Sequence, residues 1–567
     1  MREFEKGVLD VLLSGSDIIV KTLIEQGCDT VFGYPGGQIL NVYDSLYKYQ
    51  DEINHVLTAH EQGATHAADG YARVTGKVGV VISTSGPGAT NLVTGIATAY
   101  LDSIPMVAIC GNVPTTQIGT DSFQEIDITG VTLPITKHNY FVGSVEDLAD
   151  TIREAFKLAK SGRPGPVLID VPKDVQINKC EYEVQKPVEK DEPFAAKDVR
   201  IIEAASIINS AKRPFIYFGG GVITADAQEE MLALSEKIDA PIGCSLMGLS
   251  GVPTDHPRFL GMQGMHGHFA SSMSMHNADV IVSLGVRFND RVTGNRSKFA
   301  TGAKIVHIDV DGSELNKTVN SVCGLRGDVK LTLQKLLPLL DEDKKEEWMK
   351  KVDDFRKEEE TYLDNREGLT PRRAILTLNK HLGENTAVCT DVGQHQMWSA
   401  QSLNFKTSRR FSSSGGLGTM GYGFGAAIGA AYGTKERSVL ITGDGSFGMN
   451  LNELATAVRY NVPVVVIIMN NGVLGMVRQW QTLFYDKHYS NSVLQRKTDF
   501  AAFARSFGAD GEAVTTPEEL DEALAKAFKT EGPYIIDCKI DRDEFVLPML
   551  PPGGSMDDII TKLEVEL

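Results

Sequence analysis

Short runs of aliphatic and β-branched residues recur along the chain, separated by longer stretches whose apolar positions have helical spacing. The short runs predict buried strands, and the stretches between them predict amphipathic helices. Because strand and helix patterns alternate along the whole chain, we expect an α/β protein with parallel sheets. The predicted strands are 30–32, 78–83, 106–110, 167–170, 215–218, 280–284, 305–308, 387–390, 438–442, 464–469 and 534–538.

Two charged stretches divide these patterns into three segments. Residues 181–197 include the run Glu-Lys-Asp-Glu-Pro, and residues 341–367 are dominated by Lys, Glu and Asp. Either stretch alone is also typical of a solvated helix face. Because each one separates segments with their own strands and helices, we place the boundaries near residues 188 and 365. This predicts three parallel-sheet α/β domains at 1–188, 189–365 and 366–567; the outer two have similar patterns but no clear sequence repeat.

The composition is that of a folded protein, since 42% of the 567 residues are hydrophobic and 23% are charged. Lys and Arg number 56 against 74 Asp and Glu, and the net charge of −18 argues against binding to nucleic acids or anionic membranes. The longest apolar run, 462–469, is too short to span a bilayer. Residues 1–6 lead into no signal-peptide pattern, so we expect a cytoplasmic protein. The seven cysteines have no Cys-x-x-Cys spacing, which favours buried thiols over zinc ligands or disulfides.

The most informative motifs lie where two predicted strands end. Strand 438–442 runs into Gly443-Asp-Gly-Ser, and strand 464–469 runs into Asn470-Asn. One helical crossover joins them, so we expect parallel neighbours whose carboxyl ends lie side by side. Carboxylate and amide oxygens suit Mg²⁺, and glycines at a helix start let the backbone approach a diphosphate. Each motif alone is typical of a turn or a helix cap, but the pair favours a site for Mg²⁺ and a diphosphate.

This pair of motifs resembles that of thiamine diphosphate enzymes. Further motifs, in family order across essentially the whole chain, resemble the catalytic large subunit of acetohydroxyacid synthase (acetolactate synthase). They are Phe32-Gly-Tyr-Pro-Gly-Gly, His60-Glu-Gln-Gly, Thr84-Ser-Gly-Pro-Gly-Ala-Thr-Asn, Gly119-Thr-Asp-Ser-Phe-Gln-Glu, Ser161-Gly-Arg-Pro-Gly-Pro-Val, Val171-Pro-Lys-Asp, Gly415-Gly-Leu-Gly-Thr-Met and Asn470-Asn-Gly-Val-Leu-Gly-Met-Val-Arg-Gln-Trp-Gln. The resemblance implies a pyrimidine-binding N-terminal domain, a Rossmann-like FAD-binding central domain and a C-terminal domain that binds diphosphate and Mg²⁺.

The resemblance also implies an activity. Family members use thiamine diphosphate to decarboxylate pyruvate and ligate the hydroxyethyl carbanion to a second 2-oxo acid. With pyruvate the product is 2-acetolactate, and with 2-oxobutyrate it is 2-aceto-2-hydroxybutyrate, which lead to valine, leucine and isoleucine. Three alternatives stay open: a flavin-dependent pyruvate oxidase, a catabolic acetolactate synthase without flavin, and an inactive cofactor-binding scaffold.

By resemblance, Glu61 bonds to N1′ of the cofactor's aminopyrimidine, and Met420 lies beneath its thiazolium ring. The same resemblance gives Mg²⁺ three ligands: Asp444, Asn471 and the backbone carbonyl of Val473. The other implied thiamine diphosphate contacts are Gln394, His395, Gly418, Gly443, Gly445, Ser446, Leu474, Gly475 and Met476. In the family one chain supplies the glutamate and another supplies the metal site. We therefore expect a homodimer or homotetramer with active sites at the subunit interface.

Further residues are implied for the reacting 2-oxo acids. Beside Glu61 the implied catalytic residues are Gly37, Phe123, Gln124 and Lys173, and the implied substrate contacts are Met265, Arg291 and Trp480. A guanidinium such as that of Arg291 matches a carboxylate, and the flat Trp480 ring favours an acceptor with one more methylene. The alternatives are surface charges for Arg291 and Lys173, and a core or interface aromatic for Trp480.

The middle segment resembles the family's flavin-containing members. The implied FAD contacts are Arg163, Gly219, Gly220, Gly221, His266, Gly267, Gly285, Arg287, Asp290, Arg291, Asp309, Val310 and Asp328. Because the net reaction transfers no electrons, we expect this FAD to be structural rather than redox-active.

Four positions depart from the family pattern. Asn289 replaces an aspartate of Arg-Phe-Asp-Asp-Arg, Gln38 replaces a small residue, and Asn41 and Gly425 stand where proline is frequent. We expect the last three to touch the rim of the site and to alter inhibitor binding or acceptor choice. The sequence leaves open which acceptor is preferred, the number of subunits and whether a small regulatory subunit binds.

Overall fold

The computed structural model describes residues 11–562, which form three six-stranded parallel sheets flanked by helices. Residues 1–6, where no signal peptide is expected, lie outside the described residues. Within residues 11–562, every helix is too short or too polar to cross a membrane.

The first part of the chain builds one sheet and a separate strand pair. Its elements are β1 (Val11–Ser14), α1 (Gly15–Glu25), β2 (Thr30–Tyr34), α2 (Leu40–Lys48), β3 (Asn54–Leu57), α3 (Glu61–Thr75), β4 (Gly79–Ser83), α4 (Pro87–Asn91), α5 (Val93–Asp102), β5 (Met106–Asn112), α6 (Ile128–Thr132), β6 (His138–Phe141), α7 (Leu148–Lys160), β7 (Pro166–Pro172), α8 (Lys173–Ile177) and β8 (Lys179–Tyr182). The sheet order is β3-β2-β4-β5-β7-β6, and β1 pairs antiparallel with β8.

The middle part builds the second sheet. Its elements are α9 (Asp198–Asn209), β9 (Pro214–Phe218), α10 (Gly220–Thr224), α11 (Gln228–Ile238), β10 (Ile242–Cys244), β11 (Phe259–Met262), α12 (Phe269–Asn277), β12 (Val280–Leu284), α13 (Asp290–Thr293), β13 (Lys304–Asp309), β14 (Cys323–Arg326), α14 (Val329–Leu336) and α15 (Glu346–Glu360). The order is β11-β10-β9-β12-β13-β14.

The last part builds the third sheet. Its elements are α16 (Pro371–Asn379), β15 (Ala387–Thr390), α17 (Gln394–Ser402), β16 (Phe411–Ser412), α18 (Tyr422–Thr434), β17 (Ser438–Gly443), α19 (Asp444–Asn450), α20 (Leu454–Arg459), β18 (Val464–Asn470), α21 (Gly475–Phe484), α22 (Phe500–Phe507), β19 (Asp510–Val514), α23 (Pro517–Ala527) and β20 (Tyr534–Lys539). The order is β16-β15-β17-β18-β20-β19. Short 3₁₀ turns occur at Thr115–Gln117, Leu133–Ile135, Leu246–Gly248, Leu337–Leu339, Leu451–Glu453 and Met556–Asp558.

The strand orders relate the three sheets to one another. Numbered in chain order within each sheet, the first and third sheets both read 2-1-3-4-6-5. The outer segments, whose sequence patterns are similar, therefore have the same strand order. The middle sheet reads 3-2-1-4-5-6, the order of dinucleotide-binding folds, whose ligand crevice lies between the first and fourth strands.

Helices α3 and α18 join the first and last parts through small residues. A Cβ built on Gly429 would lie 1.8 Å from the Ala67 carbonyl oxygen, so the two backbones approach too closely for any side chain there. A Cβ on Gly425 would lie 2.5 Å from the Gly63 carbonyl oxygen. Gly425, which we expected at the rim of the site, is instead buried between the two helices.

Candidate functional site

The catalytic residues implied by the resemblance collect at the carboxyl edge of the first sheet. Gly37 follows β2, Glu61 follows β3, Phe123 and Gln124 follow β5, and Lys173 follows β7. Parallel strands present the loops after their carboxyl ends on one side, where α/β sheets bind ligands. The structure thus brings these five residues to the same edge.

Glu61 is the first residue of α3, at the transition from strand β3 to this helix. The His60 side chain caps this helix, because its Nδ1 accepts the Gln62 backbone N–H at 3.0 Å. The Glu61 Oε2 accepts a hydrogen bond from Asn91 Nδ2 at 3.0 Å. A carboxylate in the first turn is also favoured by the helix dipole. The backbone and Asn91 together fix where Glu61 points.

The loop after β2 is held by the start of α8. Lys173 Nζ donates to the Gly37 carbonyl oxygen at 3.1 Å, and Gln176 Nε2 donates to the Gln38 carbonyl oxygen at 2.8 Å. Gln38, one of the departures from the family pattern, therefore lies directly beside Gly37. Across the edge, Phe123 is 83% exposed.

The second group of expected residues lies at the carboxyl edge of the third sheet. Gly443 at the end of β17 is opposite Met469 of β18, so Asp444 and Asn471 follow adjacent strand ends, as predicted. Burial raises the pKa of Asp444 to about 6. The Asn471 Oδ1 accepts the Val473 backbone N–H at 3.2 Å, which orients the amide. The buried Asp444 carboxylate, the oriented Asn471 amide and the Val473 backbone carbonyl are all oxygen donors, which suit a hard cation such as Mg²⁺.

Two residues at the start of α17 border this group. The Gln394 amide is used within the chain: its Oε1 accepts from Asn471 Nδ2 at 3.3 Å and its Nε2 donates to the Glu544 carbonyl oxygen at 2.7 Å. A Cβ on Gly475 would lie only 1.9 Å from Gln394 Oε1, so a larger residue there would displace the Gln394 amide. Burial lowers the pKa of His395 to about 3, and its Nε2 has no partner within residues 11–562. In the tautomer that carries the proton on Nε2, this ring nitrogen beside a helix start would donate to an anionic group such as a diphosphate.

The remaining expected residues of the third sheet surround these two groups. Ser446 Oγ accepts the Gly421 backbone N–H at 3.3 Å, next to Met420. A Cβ on Gly445 would lie 2.8 Å from Leu474 Cδ2, which places Gly445 against the loop after β18. Gly418 has a φ of +72°, a conformation that favours glycine.

A cleft of about 1830 Å³ is lined by residues of all three parts of the chain. It exceeds the roughly 300–1,000 Å³ of an ordinary small-molecule site, so it has room for a dinucleotide beside a substrate. Its lining includes every implied FAD contact except Gly267, together with the substrate contacts Met265, Arg291 and Trp480 and the implied cofactor contacts Gly418 and Met476.

The crevice of the middle sheet opens into this cleft. A Cβ on Gly219 would lie 2.7 Å from the Gly285 carbonyl oxygen, and one on Gly221 would lie 2.6 Å from Gly285 Cα. These glycines therefore let the turns after β9 and β12 pack together. Asp309, at the end of β13, is buried, and burial raises its pKa to about 6. An acidic group at such a strand end fits the ribose of a dinucleotide.

Sequence reasoning missed Asp102, the last residue of α5. Its buried carboxylate accepts Arg73 Nη2 at 2.9 Å and the backbone N–H groups of Gly415 and Gly416 at 3.0 and 2.7 Å. It thus fixes the loop that leads to Gly418 and Met420. Gly415 and Gly416 are over 300 residues away from Asp102 in sequence and bind it through main-chain groups, so no local pattern marks this residue.

Sequence reasoning also missed Glu453, a fully buried carboxyl on the turn before α20. The signal that points to it is indirect. The glycine of the His60-Glu-Gln-Gly motif is this signal. A Cβ on Gly63 would lie 2.1 Å from Glu453 Oε1, so the buried carboxyl occupies the space that a side chain at position 63 would need.

Three protein-family models of thiamine pyrophosphate enzymes match the chain. The N-terminal TPP binding domain matches residues 13–131, the central domain 201–336 and the C-terminal TPP binding domain 391–538. A probable acetolactate synthase large subunit of Methanocaldococcus jannaschii is 45% identical, over 98% of this chain and 96% of that protein. The chain belongs to the acetolactate synthase large-subunit family.

Two further members of the acetolactate synthase large-subunit family show the same full-length match. The isozyme 3 large subunit of Escherichia coli is 42% identical over 97% of this chain and 98% of its own length. The large subunit of Corynebacterium glutamicum is 44% identical over 96% of this chain and 90% of its own length. The family expected from the sequence motifs is therefore confirmed, as is the class of three parallel-sheet α/β domains.

Proposed function

We propose that this chain forms 2-acetolactate from two molecules of pyruvate, and 2-aceto-2-hydroxybutyrate from pyruvate and 2-oxobutyrate, with thiamine diphosphate as cofactor. The observation that carries the proposal is the pair of carboxyl edges. Glu61 lies at one edge, and Asp444 and Asn471 lie at the other, in a chain 42–45% identical to acetolactate synthase large subunits.

When bound, thiamine diphosphate supplies the electron sink that decarboxylation and carbon–carbon bond formation require. The role proposed for Glu61 is to hold a proton between its carboxylate and N1′ of the cofactor. Asp444, the Asn471 amide oxygen and the Val473 carbonyl would hold Mg²⁺, and His395 Nε2 would face the diphosphate. Met420 follows the Gly415–Gly418 loop that Asp102 fixes, which supports its proposed place beneath the thiazolium ring.

The substrate contacts are proposed from the lining of the cleft. Arg291, whose Nη1 lies 3.8 Å from Met265 Sδ, would bind the carboxylate of the incoming 2-oxo acid. The Trp480 ring packs edge-on against Phe484 with centroids 5.6 Å apart, so it is a braced wall. Such a wall can favour the acceptor with one more methylene by roughly 1–3 kcal/mol. Gly37, Phe123, Gln124 and Lys173 would border the same reaction space.

FAD is proposed to fill the rest of the cleft as a structural group. The dinucleotide-type strand order of the middle sheet supports this, as does the position of Asp309 at its edge. Two arginines of the lining would face the diphosphate: Arg163, which is also paired with Glu314 at 2.9 Å, and Arg287, which donates to the Leu101 carbonyl.

The active site is proposed to form between two chains of a homodimer or homotetramer. Supporting this, the cleft is lined by Gly418 and Met476 of the last part of the chain, whereas Glu61 lies outside its lining and bonds to Asn91 of α4. The relatives are named large subunits, which supports a small regulatory partner for this chain too. We also propose domains at 1–188, 189–365 and 366–567, and a cytoplasmic location in keeping with seven free cysteines.

The direct test is to supply purified protein with pyruvate, thiamine diphosphate, Mg²⁺ and FAD, and to measure acetolactate. We expect product from the wild type and a large loss in Glu61→Gln with unchanged far-ultraviolet circular dichroism. The matched control is Glu52→Gln, since Glu52 is an exposed partner of Lys21 far from the site. Absence of acetolactate from the wild type, with or without a small subunit, would refute the proposal.

The same assay addresses the alternatives. A flavin-dependent oxidase would consume oxygen and bleach its flavin with pyruvate, and a catabolic acetolactate synthase would purify colourless. Full-length relatives named acetolactate synthase do not favour the oxidase. We expect a yellow protein that makes acetolactate without oxygen uptake.

A further inference from the structure

Glu453 reaches from the last part of the chain to the turn that carries Glu61. Its side chain has no exposed surface. The Oε2 atom accepts the Ala59 backbone N–H at 3.1 Å and the Thr456 hydroxyl at 2.6 Å. A carboxyl of the third sheet is therefore bonded two residues away from the proposed catalytic glutamate of the first sheet.

The other carboxyl oxygen has a different environment. Glu453 Oε1 has no hydrogen-bond partner in the described part of the chain and lies against Gly63 of α3. A buried charge without a counter-ion is costly, and the cost falls when the group is protonated. Burial accordingly raises the pKa of Glu453 to about 7, and the nearby Glu61 charge adds to the rise.

We propose that Glu453 is a positioning residue that works in its protonated form, holding the turn at residues 59–63 while leaving Glu61 the only negative charge there. When Glu453 ionises, a second negative charge stands beside Glu61. Two neighbouring carboxylates repel each other, so the Glu61 side chain is then displaced from its hydrogen bond with Asn91. This inference rests on the proposed role of Glu61.

The other titratable or charged groups around this turn are unchanged in a variant that replaces Glu453 alone, so a difference between wild type and such a variant reports on Glu453. They are His60 and His66 on α3, Tyr43 on α2, His55 on β3, and Arg459 and Tyr460 at the end of α20. Burial lowers the pKa of His55 to about 4 and of His66 to about 3, so both stay neutral. Burial also raises the pKa of Tyr43 far above neutrality.

The test compares Glu453→Gln, which mimics the protonated form, with Tyr460→Phe as a matched control. The Tyr460 hydroxyl accepts the Leu57 backbone N–H at 2.9 Å, so this control loosens the same turn without removing an acid. The first measurement is the melting temperature from pH 5 to pH 8.5, with cofactors held constant.

The sign of the stability effect follows from the raised pKa. Between the unfolded value near 4.5 and the folded value of about 7, only the folded wild type keeps the proton, so its stability falls as pH rises. The melting temperature of Glu453→Gln relative to wild type should rise up to about pH 7 and then level off. A flat difference overturns the proposal, and it does so whether or not the protein makes acetolactate. If Glu453→Gln does not fold, Glu61→Gln is used in its place. Without the Glu61 charge the pKa of Glu453 is raised less, so the fall in melting temperature with pH should end at a lower pH than in wild type.

The second measurement is kcat for acetolactate formation as a function of pH. The pH profile of each protein is scaled to its own maximum. Wild type and Tyr460→Phe should lose activity above about pH 7, and Glu453→Gln should lack this loss. An unchanged alkaline loss in Glu453→Gln overturns the positioning role even if the stability difference rises. If wild type makes no acetolactate at all, the proposed function fails, and the stability profiles still decide whether Glu453 holds its proton.

Discussion

Substituting Gly63 by alanine tests how tightly the two outer sheets fix Glu61. The new Cβ would lie 2.1 Å from Glu453 Oε1, 2.4 Å from its Cδ and 2.8 Å from its Cγ. Real carbon atoms do not approach so closely, and the interior is too densely packed to absorb the methyl group. The Glu453 side chain must therefore move by about 1 Å or more, or α3 must shift away from it.

The cost can be worked out from the contacts that move. Overpacking a core costs about 1–3 kcal/mol, and the bonds of Glu453 to Ala59 and Thr456 are worth about 0.5–1.5 kcal/mol each. Alanine regains up to about 1 kcal/mol over glycine inside a helix. We therefore expect Gly63→Ala to destabilise the protein by about 1–5 kcal/mol. Because a displacement near 1 Å at a catalytic group can cost about 10²-fold in rate, kcat should fall by that order.

The assay is acetolactate formation together with thermal unfolding followed by circular dichroism. The matched control is Gly302→Ala, because a Cβ at Gly302 has no neighbour within 4 Å. The control should resemble wild type in both measurements. If Gly63→Ala is as stable and as active as the control, the contact between Glu453 and α3 does not position Glu61, and the reasoning is refuted.

Three further predictions concern other parts of the molecule. Arg153→Ala leaves the buried carboxylate of Glu25 without its ion-pair partner and should lower the free energy of unfolding by about 3–5 kcal/mol. Lys21→Ala, which breaks a more exposed ion pair, should lower it by less than about 1 kcal/mol. Equal urea unfolding midpoints for the two variants would contradict this. Arg163→Ala should lower the ratio of bound flavin to protein, measured by absorbance after gel filtration, and an unchanged ratio would remove Arg163 from the FAD site. Iodoacetamide should modify Cys180 first, since the other six cysteines are buried, and simultaneous labelling of all seven in mass spectra would show otherwise.

Every strand predicted from the sequence is present, and the ones that were missed lie mainly at sheet edges. Strands β4 and β5 are buried along their whole length and therefore show as continuous apolar runs. Edge strands such as β6 and β19 are partly exposed, and their mixed composition resembles that of loops. Strand β10 has only three residues and β16 only two, so neither is long enough to show a pattern.

The candidate site also contains residues that the sequence predicts and residues that it does not. The motifs at Asp444 and Asn471 could be predicted because one crossover connects them in sequence and their chemistry is local. Asp102 and Glu453 could not, because each acts on backbone groups more than 300 residues away. A contact of that kind depends on how three sheets dock, which the pattern of any one segment does not contain.

The contact of Asp102 with main-chain N–H groups has a consequence for reading families of related sequences. Paired substitutions reveal contacts only when both partners are side chains, and Gly415 and Gly416 offer none to vary. Their own replacement is blocked for another reason, since a Cβ would come within 2.5 Å of Met247 Sδ at Gly415 and 2.8 Å of Leu101 Cβ at Gly416. We expect an alignment to show three invariant, uncorrelated positions here, so that methods based on covariation overlook the bond that ties α5 to the loop before Met420.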